Sequence, residues 1–147
     1  MPGKFLILTF ILARISGVSA QRFLNSSRST IGYIENGRVM NSSRSTIGYI
    51  EPARAMKDSE SNGTDSEDYR ISNSSRSTIG YYEDGRVMNS SRSTIGYIED
   101  DRVLNASRST IGYVENGRVL NSSRSTIGYY EDVKASFAAL YFFFFFN

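Results

Sequence analysis

The sequence predicts an all-β fold of short antiparallel hairpins, in sixteen-residue units, set around a pseudo-rotational axis, and three observations carry that expectation. First, NSSRSTIGYIENGRVM at residues 25–40 returns along the chain, its N(S/A)SRSTIGY core beginning at Asn25, Asn41, Asn73, Asn89, Asn105 and Asn121. A unit this short cannot bury an apolar face alone, so the copies must pack on one another. Second, two stretches of extended-chain formers, STIGYIE and RVMNSS, flank Asn36-Gly37, a slot that also holds Asp84-Gly85 and Asn116-Gly117. Such dipeptides are the strongest short signal for a two-residue hairpin. Third, a glycine recurs inside the strand signal at Gly32, Gly48, Gly80, Gly96, Gly112 and Gly128. Glycine weakens a strand, so its repetition implies a close approach, a bend or a bulge where hairpins converge on an axis.

Taken in order, residues 1–20 read as an export signal: Lys4 near the front, an apolar run from Phe5 to Ala13, and small residues at Val18-Ser19-Ala20 before Gln21. The apolar run is too short for a transmembrane helix. The expected location is therefore extracytoplasmic: periplasmic, cell-surface or secreted. Loss of Lys4 and Arg14 with the signal brings the 17 basic residues into balance with the 15 acidic ones. A neutral chain with alternating signs lacks the basic footprint of a nucleic-acid binder.

Residues 21–136 form the hairpin repeat domain. With a type I′ turn, Glu35 faces Arg38, Tyr33 faces Met40 and Ile31 faces Ser42 on one side, while Ile34 faces Val39, Gly32 faces Asn41 and Thr30 faces Ser43 on the other. The connection around Ser43-Arg44-Ser45 reads as a polar turn with serine hydroxyls bonding back to the backbone. Arg22, Arg38, Arg54, Arg70, Arg86, Arg102, Arg118 and Lys134 keep the sixteen-residue register across the doubled gap, which therefore reads as a seventh unit.

That unit, residues 54–69, has lost its Ile-Gly-Tyr-Ile strand and is acidic, so the expectation is a solvated loop. The alternative is a calcium loop. Asp58, Glu60 and Asn62 followed by Gly63 match the opening of one, and Asp65 and Glu67 are further oxygen donors; Tyr69, however, stands where a bidentate glutamate is needed and no helical pattern flanks the segment. Calcium-dependent binding is thus the runner-up function, and no other cofactor is expected. Residues 137–147, FAALYFFFFFN, are expected to be a terminal strand or plug that supplies the aromatic core the polar units lack. The competing reading is membrane contact through the rings from Phe142 to Phe146.

The SxxTIGYIExGRV-like units, the Ala20-Gln21 signal end and the AALYFFFFF tail together resemble the small exported β-flower proteins of Bacteroides and relatives. The resemblance implies hairpins around a pseudo-rotational axis and export, and adds no catalytic residues. The chain has no cysteine, histidine or tryptophan. That removes disulfides, a thiol nucleophile and the commonest general base. The remaining reactive groups repeat identically in every unit, which argues against one active site and for a non-enzymatic binding or envelope-structural role toward a glycan, an envelope component or another protein.

Overall fold

The computed structural model describes residues 20–53 and 67–147. Twelve strands follow in order: β1 (Arg22–Asn25), β2 (Thr30–Glu35), β3 (Arg38–Asn41), β4 (Thr46–Pro52), β5 (Asp68–Asn73), β6 (Thr78–Glu83), β7 (Arg86–Asn89), β8 (Thr94–Glu99), β9 (Arg102–Asn105), β10 (Thr110–Glu115), β11 (Arg118–Asn121) and β12 (Thr126–Glu131). Each pairs antiparallel with its neighbours, and β1 pairs with β12 to close a barrel. Five hairpins are local in sequence. The sixth joins the two ends of the repeat domain, with Phe23 opposite Tyr130 and Arg22 opposite Glu131.

Turn chemistry sets the register. Asn36 and Gly37 have φ of 50° and 83°, Asp84 and Gly85 of 52° and 91°, so both central residues are left-handed as a type I′ turn requires. Glu35 then faces Arg38, Tyr33 faces Met40, Ile34 faces Val39 and Gly32 faces Asn41, as the sequence predicts. The expected pairs Ile31–Ser42 and Thr30–Ser43 do not form. Asn41, still opposite Gly32, ends the ladder: its Oδ1 accepts the Ser43 and Ser45 backbone N–H groups at 2.9 and 3.0 Å, and its own N–H donates to the Ser45 carbonyl. The result is a three-residue loop, after which the chain re-enters as β4 with a bulge beside Gly48.

Among the described residues the ring closes on six hairpins. Across the doubled gap β4 pairs with β5, Glu51 opposite Arg70 and Pro52 opposite Tyr69, so both strands of that hairpin belong to the described residues. The cause is Pro52. It occupies the slot where Asn36 adopts φ of 50°, and the pyrrolidine ring holds φ near −65°. A tight turn is barred there, so β4 runs on and its partner strand comes later.

That substitution of one partner strand for another leaves a flaw. On the outer side, each repeat tyrosine faces an aliphatic residue across the ladder: Tyr33 and Met40, Tyr81 and Met88, Tyr97 and Leu104, Tyr113 and Leu120, Tyr129 and Leu24. Tyr49 faces Ser72, which is 1% exposed and whose Oγ has no hydrogen-bond partner among the described residues. Burying an unpartnered hydroxyl costs about 1–3 kcal/mol, and the lost aliphatic contact adds to it. Ser72→Met is therefore expected to stabilise the protein by about 2 kcal/mol, read as a higher urea midpoint at unchanged m-value. An unchanged or lower midpoint would show that the neighbours have closed over the gap.

The interior is filled by the tail. Helix α1 (Ala135–Ala139) leads into a π-helical segment, Leu140–Phe145, so the tail is a helical plug rather than a strand. Alanines favour helix and are narrow, and Ala138, Ala139 and Leu140 are fully buried among Ile34, Val39, Ile71, Val87, Val103 and Val119. Phe23 stacks on Tyr141 at 4.0 Å between ring centroids.

Candidate functional site

The glycine requirement has two sources, a cross-strand backbone carbonyl, such as that of Leu104 beside Gly96, and the plug. A Cβ on Gly32 would lie 2.6 Å from the Tyr141 hydroxyl, and one on Gly128 would lie 2.6 Å from the Phe142 ring. Phe143 lies against Gly112, Phe144 against Gly96, Phe145 against Gly80 and Phe146 against Gly48 in the same way. Six consecutive aromatic side chains thus meet six glycines, one per hairpin. The Tyr141 hydroxyl also donates to the Ile31 carbonyl at 3.4 Å. The rings from Phe142 to Phe146 that the sequence offers for membrane contact lie against the barrel wall; Phe142 is buried and the other four are partly buried. Among the described residues no helix is long and apolar enough to cross a membrane.

The outer wall carries a second six-fold array. In every three-residue loop the arginine is left-handed, with φ of 66–68° at Arg28, Arg44, Arg76, Arg92, Arg108 and Arg124. Glycine is the ordinary choice at that point of such a loop, and an L-residue there costs roughly 1–2 kcal/mol. The side chain offsets this. Arg44 lies over the Tyr33 ring at 3.9 Å, and Arg76, Arg92, Arg108, Arg124 and Arg28 lie over Tyr49, Tyr81, Tyr97, Tyr113 and Tyr129 at 3.8–4.0 Å. A stacked guanidinium contributes about 0.5–1 kcal/mol where exposed.

A carboxylate completes five of the six stations. Arg44 meets Glu35 at 3.4 Å, Arg76 meets Glu51 at 3.2 Å, Arg92 meets Glu83 at 2.7 Å, Arg124 meets Glu115 at 3.5 Å, and Arg108 meets Glu99. In the sixth, Glu131 pairs with Arg22 at 2.8 Å, and Arg28 keeps its tyrosine. Hydrogen bonding to Glu51, Glu83 and Glu99 raises the already high pKa of Arg76, Arg92 and Arg108, so these groups stay charged at any accessible pH. The sequence shows both arrays, Tyr33-type and Arg44-type, but not their pairing: the tyrosines are half-buried beneath arginines, neither core residues nor an open aromatic row. The signal that could have found it is the constant eleven-residue step from Tyr33 to Arg44, repeated at Tyr81–Arg92, Tyr97–Arg108 and Tyr113–Arg124.

At the start of β5, Lys134 ties the plug to the wall, donating to Glu67 Oε2 at 3.2 Å and to the Tyr69 hydroxyl at 3.0 Å. Burial, helped by the Glu67 charge, pushes the Tyr82 hydroxyl up to about 12. Two clefts open here. One, of ≈ 330 Å³, is bordered by Glu67, Tyr82, Asp100, Lys134 and Ser136; the other, of ≈ 570 Å³, by Asp68, Glu83, Asp84, Tyr97, Glu99 and Arg108. Of the candidate calcium ligands, Asp58, Glu60, Asn62 and Asp65 lie outside the described residues, and Glu67 is held by Lys134. Among the described residues no group of carboxylates is placed to hold a metal ion.

The profile of a family described as 5-fold beta-flower protein matches residues 57–146, more than half of the chain. No curated protein and no solved structure matches.

Proposed function

Since the chain belongs to the family of 5-fold beta-flower proteins, we propose that it is an exported, non-catalytic ring that binds a repeating, anion-bearing glycan of the cell envelope along its outer wall. The observation that supports this reading is the belt of arginine–tyrosine stations. Each guanidinium has one face on a tyrosine, an arrangement that fixes its plane, and its side chain remains 50–58% exposed at Arg44, Arg76, Arg92, Arg108 and Arg124. A fixed, exposed guanidinium suits a planar carboxylate. One such contact is weak, and several spaced along one polymer add by effective concentration rather than by new contacts.

Export is supported by where the ring begins. Among the described residues, Gln21 is the first that bonds into the barrel: its carbonyl accepts the Ile34 N–H at 3.0 Å and its side chain donates to the Asp132 carbonyl at 2.9 Å. Removal of residues 1–20 would leave all twelve described strands intact. The absence of catalysis is supported by the identical recurrence of the reactive groups, since a reaction centre needs a non-repeating constellation of nucleophile, base and stabiliser.

The test uses the protein from Gln21 to Asn147, purified from the extracytoplasmic fraction, in co-sedimentation with peptidoglycan sacculi and with an insoluble uronic-acid polysaccharide. Binding should be strong at low salt and fall at least tenfold when the six stacked arginines are replaced by lysine, with the melting temperature showing that the ring persists. No sedimentation of the parent, or equal sedimentation of the lysine variant, would sink the reading. An amino terminus other than Gln21 would sink the export part alone.

A further inference from the structure

We infer that the interior of the ring is a recognition site for a run of consecutive aromatic side chains, and that the length of this run sets how many hairpins the ring closes with. The family's description is five-fold, whereas this chain closes on six hairpins. A common unit that serves rings of different size does not by itself fix their number, because every hairpin edge offers the same ladder to the next.

The plug supplies the missing count. Tyr141 meets Gly32, and Phe142, Phe143, Phe144, Phe145 and Phe146 meet Gly128, Gly112, Gly96, Gly80 and Gly48 in that order. Advancing one residue along the tail moves one hairpin back along the chain around the ring, until the circuit is complete. Six hairpins lie about 60° apart, whereas an α-helix advances about 100° per residue. An α-helical tail would therefore skip hairpins. The π-helical winding of Leu140–Phe145, with its i to i+5 bonding, takes more residues per turn and brings successive rings toward neighbouring hairpins. Each cleft is selective because its floor lacks a Cβ: the ring edge takes the space that any other residue in the wall would fill. One aromatic too few leaves a cleft empty, and one too many leaves a ring with no cleft.

The decisive experiment removes one hairpin and one aromatic from the full chain. Deleting residues 89–104 takes out Gly96 and its hairpin while joining Met88 to Asn105 in the original repeat register. Deleting Phe144 removes the ring that sits on Gly96. Each deletion alone should lower the melting temperature by 10 °C or more. Together they should give a cooperative monomer that melts above the chain lacking only residues 89–104. A double deletion no more stable than that single one overturns the counting rule.

A second measurement applies to the six-hairpin ring itself, where folding is not at risk. Gly80→Ala should shift the unfolding equilibrium at least tenfold less in a Phe145→Ala background than in a Phe143→Ala background, since Phe145 alone among these rings lies on Gly80. Equal shifts in the two backgrounds overturn the one-to-one assignment of rings to hairpins.

Discussion

Gly96→Val will destabilise the ring by about 3 kcal/mol or more, against about 1 kcal/mol for Val103→Ile on the next strand, opposite Ile98. Gly96 has an ordinary extended φ, so the loss is steric rather than conformational. A Cβ there would press on the Leu104 carbonyl and on the Phe144 ring. The carbonyl is held in the ladder, and the ring is held by its own neighbours; valine adds two methyl groups to the conflict. Val103 is fully buried, but a single extra methylene can be absorbed by small shifts among Ile98, Leu140 and the alanines of α1. Urea midpoints of the two variants measure the difference, and equal losses would mean that the glycines answer to something other than the plug.

Deleting residues 141–147 should abolish the cooperative melt. Phe142 and Tyr141 are buried and the four following rings are partly buried. Truncating one well-buried phenylalanine costs about 3–5 kcal/mol. Even with a discount for the partly exposed rings, losing six side chains exceeds the 5–15 kcal/mol by which a domain of this size is stable. The six glycine clefts and the Phe23 ring, stripped of their partner, would face water. The expected product is an expanded or aggregated chain, seen as light scattering on gel filtration and loss of near-ultraviolet dichroism. A soluble monomer with an unchanged melting temperature would remove the plug from the core.

The hairpin was legible because its determinants are local. Asn36-Gly37 fixes the turn type, the turn type fixes Glu35 opposite Arg38, and alternation then assigns each side chain its face. The glycine requirement was legible as a close approach, but not what approached: the partner lies up to about a hundred residues away, and a run of phenylalanines favours strand in isolation. Only the closed ring makes a helical path for it. The strand that pairs with β4 was less legible. Arg54 and Arg70 both keep the basic register, and choosing between them required seeing that Pro52 cannot take the left-handed slot. At the outer wall, the tyrosine and arginine arrays were visible as lists, while their stacking depends on a left-handed arginine, which nothing in a Ser-Arg-Ser string announces.

The pairing of β1 with β12 has a further consequence, for how the molecule comes to fold. Arg22 and Glu131 are 109 residues apart, so the seam between the first and last strands cannot form until nearly the whole repeat domain is present. Until then the chain carries two open edges whose ladders match any other hairpin of the same kind, in the same molecule or in a neighbour. Near-identical units make wrong pairings almost as favourable as right ones, and the long-range seam makes the right one slow. Dilution during refolding should therefore raise the yield of monomer, because a closed ring offers no edge to another chain and an unclosed one offers two.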